Sequence, residues 1–300
     1  MKEKKFTGIM PALITPFDGQ EQLKAETARQ LIDFQLAEGV SGFYICGATG
    51  EGPALRPVTR MEMAETTVAH VAGRGWVIDH IGAPNMQDTL ELVRHATRTG
   101  VDAVASLAPT NSYRYTTDEL YSYYAAIAAA TDLPVLVYAT DMIRTQDVLG
   151  LMARLMQIPN VIGLKFTIRD YFLMGQVCEL NKGDINVING PDETLLCGLA
   201  MGADGGIGST YNVMPGWFCS LYQAYQDGDL QKARMLQYKI NHVIRILHQF
   251  SEGAITKAIK ATLQLMGFDA GEAASPAKHI RAEERQAMRE ALREAGLDLS

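Results

Sequence analysis

Cysteine, basic charge and long apolar runs are all scarce in this 300-residue chain. Its four cysteines, Cys46, Cys178, Cys197 and Cys219, are widely separated, with no CxxC and no metal-ligand spacing. That excludes a disulfide framework and offers no metal site, so buried free thiols in a reducing cytosol are expected. Lysine and arginine together number 27 against 34 acids, a net charge of -7 with no basic stripe, which argues against nucleic acid or an anionic membrane as partner. No apolar run approaches the ~20 residues of a membrane span. The basic start Met1-Lys2-Glu3-Lys4-Lys5-Phe6 is not followed by a signal-type apolar core, so a cytoplasmic protein acting on a small molecule is expected. Nor does any glycine-rich turn end in the Lys-Ser/Thr of a P-loop, although Gly202-Ala203-Asp204-Gly205-Gly206-Ile207-Gly208-Ser209 has the glycines for close backbone approach.

With 47% hydrophobic and 20% charged residues the chain can bury a large core. Short β-type runs recur along it at Ile9 to Ile14, Phe43 to Cys46, Val77 to Ile81, Ala103 to Leu107, Val135 to Tyr138, Ile162 to Phe166, Ile185 to Ile188 and Gly205 to Ile207. Helical spacing of apolar residues fills Thr27 to Ala37, Met61 to Val71, Leu90 to Thr99, Glu119 to Ala130 and Val148 to Met156. Alternation of this kind marks parallel βα units, and eight of them predict an α/β fold, a (β/α)8 TIM barrel over residues 1–226. Beyond Gln226 the pattern is wholly helical, at Leu230 to Phe250, Ala254 to Met266 and Arg281 to Ala295. No flexible linker intervenes, so residues 227–300 are expected to form a helical extension packed on the barrel.

Lys165 ends the apolar run Val161-Ile162-Gly163-Leu164-Lys165-Phe166, where an ammonium is costly to desolvate. Strand alternation points it with Gly163 and away from Ile162, Leu164 and Phe166, and the small neighbour leaves room for a ligand. Desolvation lowers a lysine's pKa, and an uncharged amine can attack a carbonyl to give a Schiff base. A lysine snorkelling from a strand end fits the same pattern. In such barrels the chemistry sits at the carboxyl ends of the strands. Tyr138 closes Val135-Leu136-Val137-Tyr138 there, as catalyst or as ordinary core packing, and the turn Gly47-Ala48-Thr49-Gly50-Glu51-Gly52 follows the second strand. Its backbone N–H groups suit a carboxylate or phosphate, although tight chain reversal alone also calls for such glycines.

Taken in order, these pieces resemble the N-acetylneuraminate lyase and dihydrodipicolinate synthase family of Schiff-base aldolases. The likeness runs from Gly8-Ile9-Met10-Pro11-Ala12-Leu13-Ile14-Thr15-Pro16-Phe17 through Gly47 to Glu51, Tyr138, Lys165-Phe166-Thr167 and Gly202 to Asn212. It implies a pyruvate-dependent aldolase that needs neither metal nor organic cofactor. Lys165 would form the imine, Ala48 and Thr49 would hold pyruvate's carboxylate, and Tyr138 would move protons. It also implies a homotetramer, with Tyr113 of Asn111-Ser112-Tyr113-Arg114-Tyr115 reaching a neighbouring subunit's site.

Within the family the resemblance leans to the lyases of sialic acid. Gly190-Pro191-Asp192-Glu193 follows the seventh strand, where Asp192 and Glu193, with Ser209, would accept from a polyol tail. Acids complementing a helix N-terminus explain that pair equally. Thr167 matches the lyases, and Ile143 stands where the synthases carry a substrate-binding arginine, with Arg144 one position off. Two departures keep other 2-keto-3-deoxy sugar acids open. Ala48 replaces a hydroxyl that links the two tyrosines in the family, and Ala139-Thr140-Asp141-Met142 replaces the family's Asn and Pro. A dihydrodipicolinate synthase and a non-catalytic sugar-acid binding protein remain as further alternatives.

Overall fold

The computed structural model describes residues 4–111, 113–140, 147–277 and 279–299. Eight strands form one parallel sheet: β1 Gly8–Pro11, β2 Gly42–Ile45, β3 Trp76–His80, β4 Ala103–Ser106, β5 Val135–Thr140, β6 Val161–Thr167, β7 Asn186–Asn189 and β8 Gly205–Gly208. Each pairs with its sequence neighbour, β1 pairs with β8, and a parallel bridge from Ala12 to Tyr44 joins β1 to β2. The eight sequence-predicted strands are therefore all present.

Between them run α1 Ala25–Ala37, α2 Pro57–Val71, α3 Met86–Thr99, α4 Thr117–Ala129, α5 Val148–Leu155, α6 Tyr171–Cys178, α7 Leu195–Ala200 and α8 Pro215–Gln226. The chain continues with α9 Leu230–Ser251, α10 Ile255–Leu265 and α11 Ala282–Glu294. Local chemistry sets several boundaries. Asn85 caps α3 by accepting from the Asp88 N–H, and Thr116 and Glu119 form a reciprocal capping box at α4.

Alternation sorts the side chains into two cores. Val135, Val137, Leu164, Phe166 and Val187 face the helices, whereas Leu136, Tyr138, Tyr44, Ile78, Ile188 and Ile207 fill the barrel. At the amino ends of the strands Phe6 is fully buried in this inner cluster, edge-on to Trp76. Both its N–H and its carbonyl are hydrogen-bonded to the Asn186 side chain.

Three expectations need correction. Ile162 packs against the inner cluster, because a register shift between Val135 and Leu136 lets Val161 and Gly163 pair with consecutive residues of β5. Gly163 makes no room for a ligand: a Cβ there would lie 1.9 Å from the Asn186 carbonyl oxygen, so glycine permits close approach of β6 to β7. Of the four cysteines only Cys46 is buried, and Cys197 is exposed.

Candidate active site

Lys165 lies near the carboxyl end of β6, in register with Tyr138 of β5 and Ile188 of β7, and is 5% exposed. Its Nζ stands 4.4 Å from the Tyr44 ring centroid and 4.3 Å from that of Tyr138. No ion pair joins it to a carboxylate among the described residues. Ring faces thus do the work a counter-ion would do for a structural lysine. Converting this amine to an imine strands no paired carboxylate.

The surroundings on the barrel axis are neutral. Tyr44, Tyr138 and His80 form edge-to-face pairs, with centroids 6.1 Å apart for Tyr44 and Tyr138 and 6.2 Å for His80 and Tyr138. The Tyr44 hydroxyl is buried without a partner among the described residues, and burial, reinforced by Tyr138, drives its pKa well above the ordinary phenol value. His80 Nε2 accepts from the Leu107 N–H at 3.0 Å, which assigns the neutral ring's proton to Nδ1. Burial, then Arg60 and Lys165, hold that imidazole's pKa well below normal, so it stays uncharged.

The turn after β2 is built by backbone geometry. Cys46 and Glu51 both adopt positive φ, 55° and 56°. The Gly52 N–H donates to the Gly47 carbonyl and the Glu51 N–H to the Ala48 carbonyl, while Thr15 Oγ1 donates to the Gly50 carbonyl. Gly52 is obligatory, since a Cβ would fall 1.8 Å from the Cys46 oxygen. The N–H groups of Ala48 and Thr49 donate to no described residue, so this turn presents two free donors suited to an anion.

Across the mouth, Thr167 ends β6 with its hydroxyl buried and without a partner among the described residues. Gly190 exists for that side chain, because a Cβ there would lie 2.0 Å from Thr167 Oγ1. Asp192 is buried and gathers donors: Ser209 N at 3.2 Å, Ser209 Oγ at 3.3 Å, and Thr210 N and Oγ1 both at 2.7 Å. Burial raises its pKa against the opposing pull of the Thr210 bonds. Its carboxylate therefore braces the turn after β8. Glu193 lies nearer the surface, 3.2 Å from Arg169 and 3.7 Å from His248. From α9, Gln237 and Asn241 donate to the Asp192 and Glu193 carbonyls.

The structure brings Lys165 and Tyr138 together. Tyr113 stands apart, 73% exposed, with Tyr115 as its ring neighbour at 6.4 Å. Ser112, Asp141, Met142, Ile143 and Arg144 lie outside the described residues. Sequence reasoning passed over Tyr44 and His80. The alternation Phe43-Tyr44-Ile45 was the available signal, since it turns Tyr44 inward once its neighbours are assigned to the outer core.

Comparison with known proteins finds relatives over most of the chain. Residues 5–295 match the model of the dihydrodipicolinate synthetase family. The chain is 35% identical to the N-acetylneuraminate lyase of Citrobacter koseri over 266 residues, 88% of each chain. Among solved structures, N-acetylneuraminate lyase (sialic acid aldolase) from Aliivibrio salmonicida superposes with a TM-score of 0.92 at 30% identity, covering 99% of both chains. YagE, a prophage protein of the dihydrodipicolinic acid synthase family from E. coli K12 solved in complex with pyruvate, gives 0.91 at 27% identity, covering 98% of this chain and 100% of its own.

Proposed function

The chain belongs to the dihydrodipicolinate synthetase family, and we propose that within it this protein is a class I aldolase cleaving N-acetylneuraminate to N-acetylmannosamine and pyruvate. The observation that carries the reading is the Lys165 amine, buried between two tyrosine rings and free of any carboxylate among the described residues. Similarity to lyases of that name supports the choice of substrate.

The chemistry follows from the geometry. The substrate's carboxylate takes the free N–H groups of Ala48 and Thr49, which sets its 2-keto carbon before Lys165. The amine adds to that carbon and water leaves, giving an iminium. Tyr138 takes the proton of the C4 hydroxyl as the C3–C4 bond breaks, and the bonding pair flows into the iminium nitrogen to leave an enamine. The aldehyde departs, C3 regains a proton, and hydrolysis frees pyruvate and the lysine. Ala48 has no hydroxyl, so the proton path from Tyr138 cannot pass through that side chain and runs instead by way of the substrate's own carboxylate. Thr167, Gly190, Asp192, Glu193 and Ser209 line the polyol end. The assembly is a cytoplasmic homotetramer in which Tyr113 reaches a neighbouring subunit's site.

A second reading, a shorter 2-keto-3-deoxy sugar acid as substrate, draws on the brace formed by Asp192. A carboxylate already accepting from Ser209 and Thr210 has less capacity for a long polyol. Borohydride with pyruvate tests the imine: one reduced adduct on Lys165 and loss of turnover are expected, and labelling elsewhere would overturn the assignment. Rates on a panel of sugar acids then separate the two substrates.

A further inference from the structure

Glu51 is the one acid in the turn that carries Ala48 and Thr49, and it points away from the barrel axis into the C-terminal helices. Its side chain is 11% exposed and its Oε2 lies 2.7 Å from Nζ of Lys260, a residue of α10 that is 1% exposed. The other oxygen accepts from the Ala274 N–H at 2.6 Å. Lys260 is held on further sides, donating to the Glu272 carbonyl at 2.9 Å and lying 3.6 Å from the Phe17 ring centroid. Such a pair is expensive to bury, and replacing it with apolar groups is often neutral for stability, so stability alone is a weak reason to keep it.

Connectivity supplies a better one. The backbone of Glu51 is left-handed, a conformation a non-glycine residue avoids unless its surroundings hold it. In that conformation its N–H meets the Ala48 carbonyl at 3.1 Å. The peptide whose oxygen is thus anchored carries the Thr49 N–H on its opposite side. The orientation of a free donor in the site is therefore tied, through one residue, to a helix outside the barrel.

We infer that Glu51 and Lys260 are positioning residues, a buried clamp through which the C-terminal helices aim the Ala48 and Thr49 N–H groups at the substrate's carboxylate. The inference rests on the reading of those groups proposed above. Loosening the clamp weakens recognition of a carboxylate and leaves the lysine amine in place.

Pyruvate and acetone differ in that carboxylate, so borohydride trapping with each isolates the effect. Lys260→Met should raise half-saturating pyruvate tenfold or more, while acetone trapping at Lys165 stays within about twofold of wild type. Lys260→Arg, which can still pair with Glu51, should recover most of the pyruvate affinity. Should Lys260→Met fail to fold, Glu51→Gln with Lys260→Met leaves no unpaired buried charge and is read by the same ratio. Equal shifts for the two ketones, or no shift for either, would overturn the clamp while leaving Lys165 as the imine-forming residue. Wild-type protein that traps acetone and pyruvate with equal half-saturation would instead overturn the carboxylate site, and the clamp with it.

Discussion

Replacing Asp192 with alanine tests whether a braced turn or a direct sugar contact dominates the far end of the site. In the folded protein this carboxylate accepts from two backbone N–H groups and two hydroxyls, on Ser209 and Thr210. The hydroxyls can turn to other acceptors, but the two N–H groups cannot. A buried donor left without a partner costs about 1–3 kcal/mol; the Thr210 N–H is buried and the Ser209 N–H half-buried, so the pair costs at most about 2–6 kcal/mol. Water entering the vacated space favours the lower half, near 3 kcal/mol. The variant should therefore unfold at lower urea concentration by an amount matching that loss. Its kcat/KM for N-acetylneuraminate should fall about ten- to a hundredfold, because Ser209 is released along with the acid. Imine trapping with pyruvate, which engages the opposite wall, should be nearly unchanged. A stability change under about 0.5 kcal/mol would refute the bracing argument, and an equal loss of pyruvate trapping would show that the two walls are not independent.

Three further outcomes are expected. Tyr138→Phe should lower kcat by about 10²–10⁴-fold while imine trapping persists, and an effect confined to KM would make Tyr138 a positioning group. Asp79, behind the barrel wall beside Arg60 and Cys46, has its pKa raised by burial from 3.8 to about 7. A raised carboxyl pKa favours the protonated folded form, so its contribution is present below about pH 4 and is lost as pH rises through about 7, with a ceiling on the order of 4 kcal/mol. Urea midpoints should then fall for wild type between pH 5 and about pH 8 relative to Asp79→Asn, and parallel curves would contradict this. Sedimentation should give a tetramer, and a fully active monomer would remove Tyr113 from the site.

The barrel was legible because its signals are local and periodic. Alternation in Val135-Leu136-Val137-Tyr138 and in Leu164-Lys165-Phe166 places the two central residues on one face of adjacent strands, as found. Ile162 escaped that logic because a register shift is a property of two strands together. The reason for Gly163 was likewise hidden in the proximity of β7, and that for Gly190 in the Thr167 hydroxyl. Asp192 is a site candidate from its sequence, but its contacts with Ser209 and Thr210, which follow the neighbouring strand β8, belong to two βα units together and show in neither segment alone. Glu51 and Lys260 are separated by most of the chain, and each looks ordinary in its own segment.

Phe6, locked to Asn186 and packed edge-on to Trp76, stoppers the barrel at its lower end. With that end filled among the described residues, approach to Lys165 is from the rim where the strands finish. Whatever is tethered to Lys165 sits deepest in the queue, and the sugar fragment stands between it and the exit. Under the proposed reaction the aldehyde must leave before pyruvate can, and in the synthetic direction pyruvate must enter first. The covalent bond to Lys165 sets the order, and a phenylalanine at the opposite end of the molecule from the chemistry sets the side from which it is read.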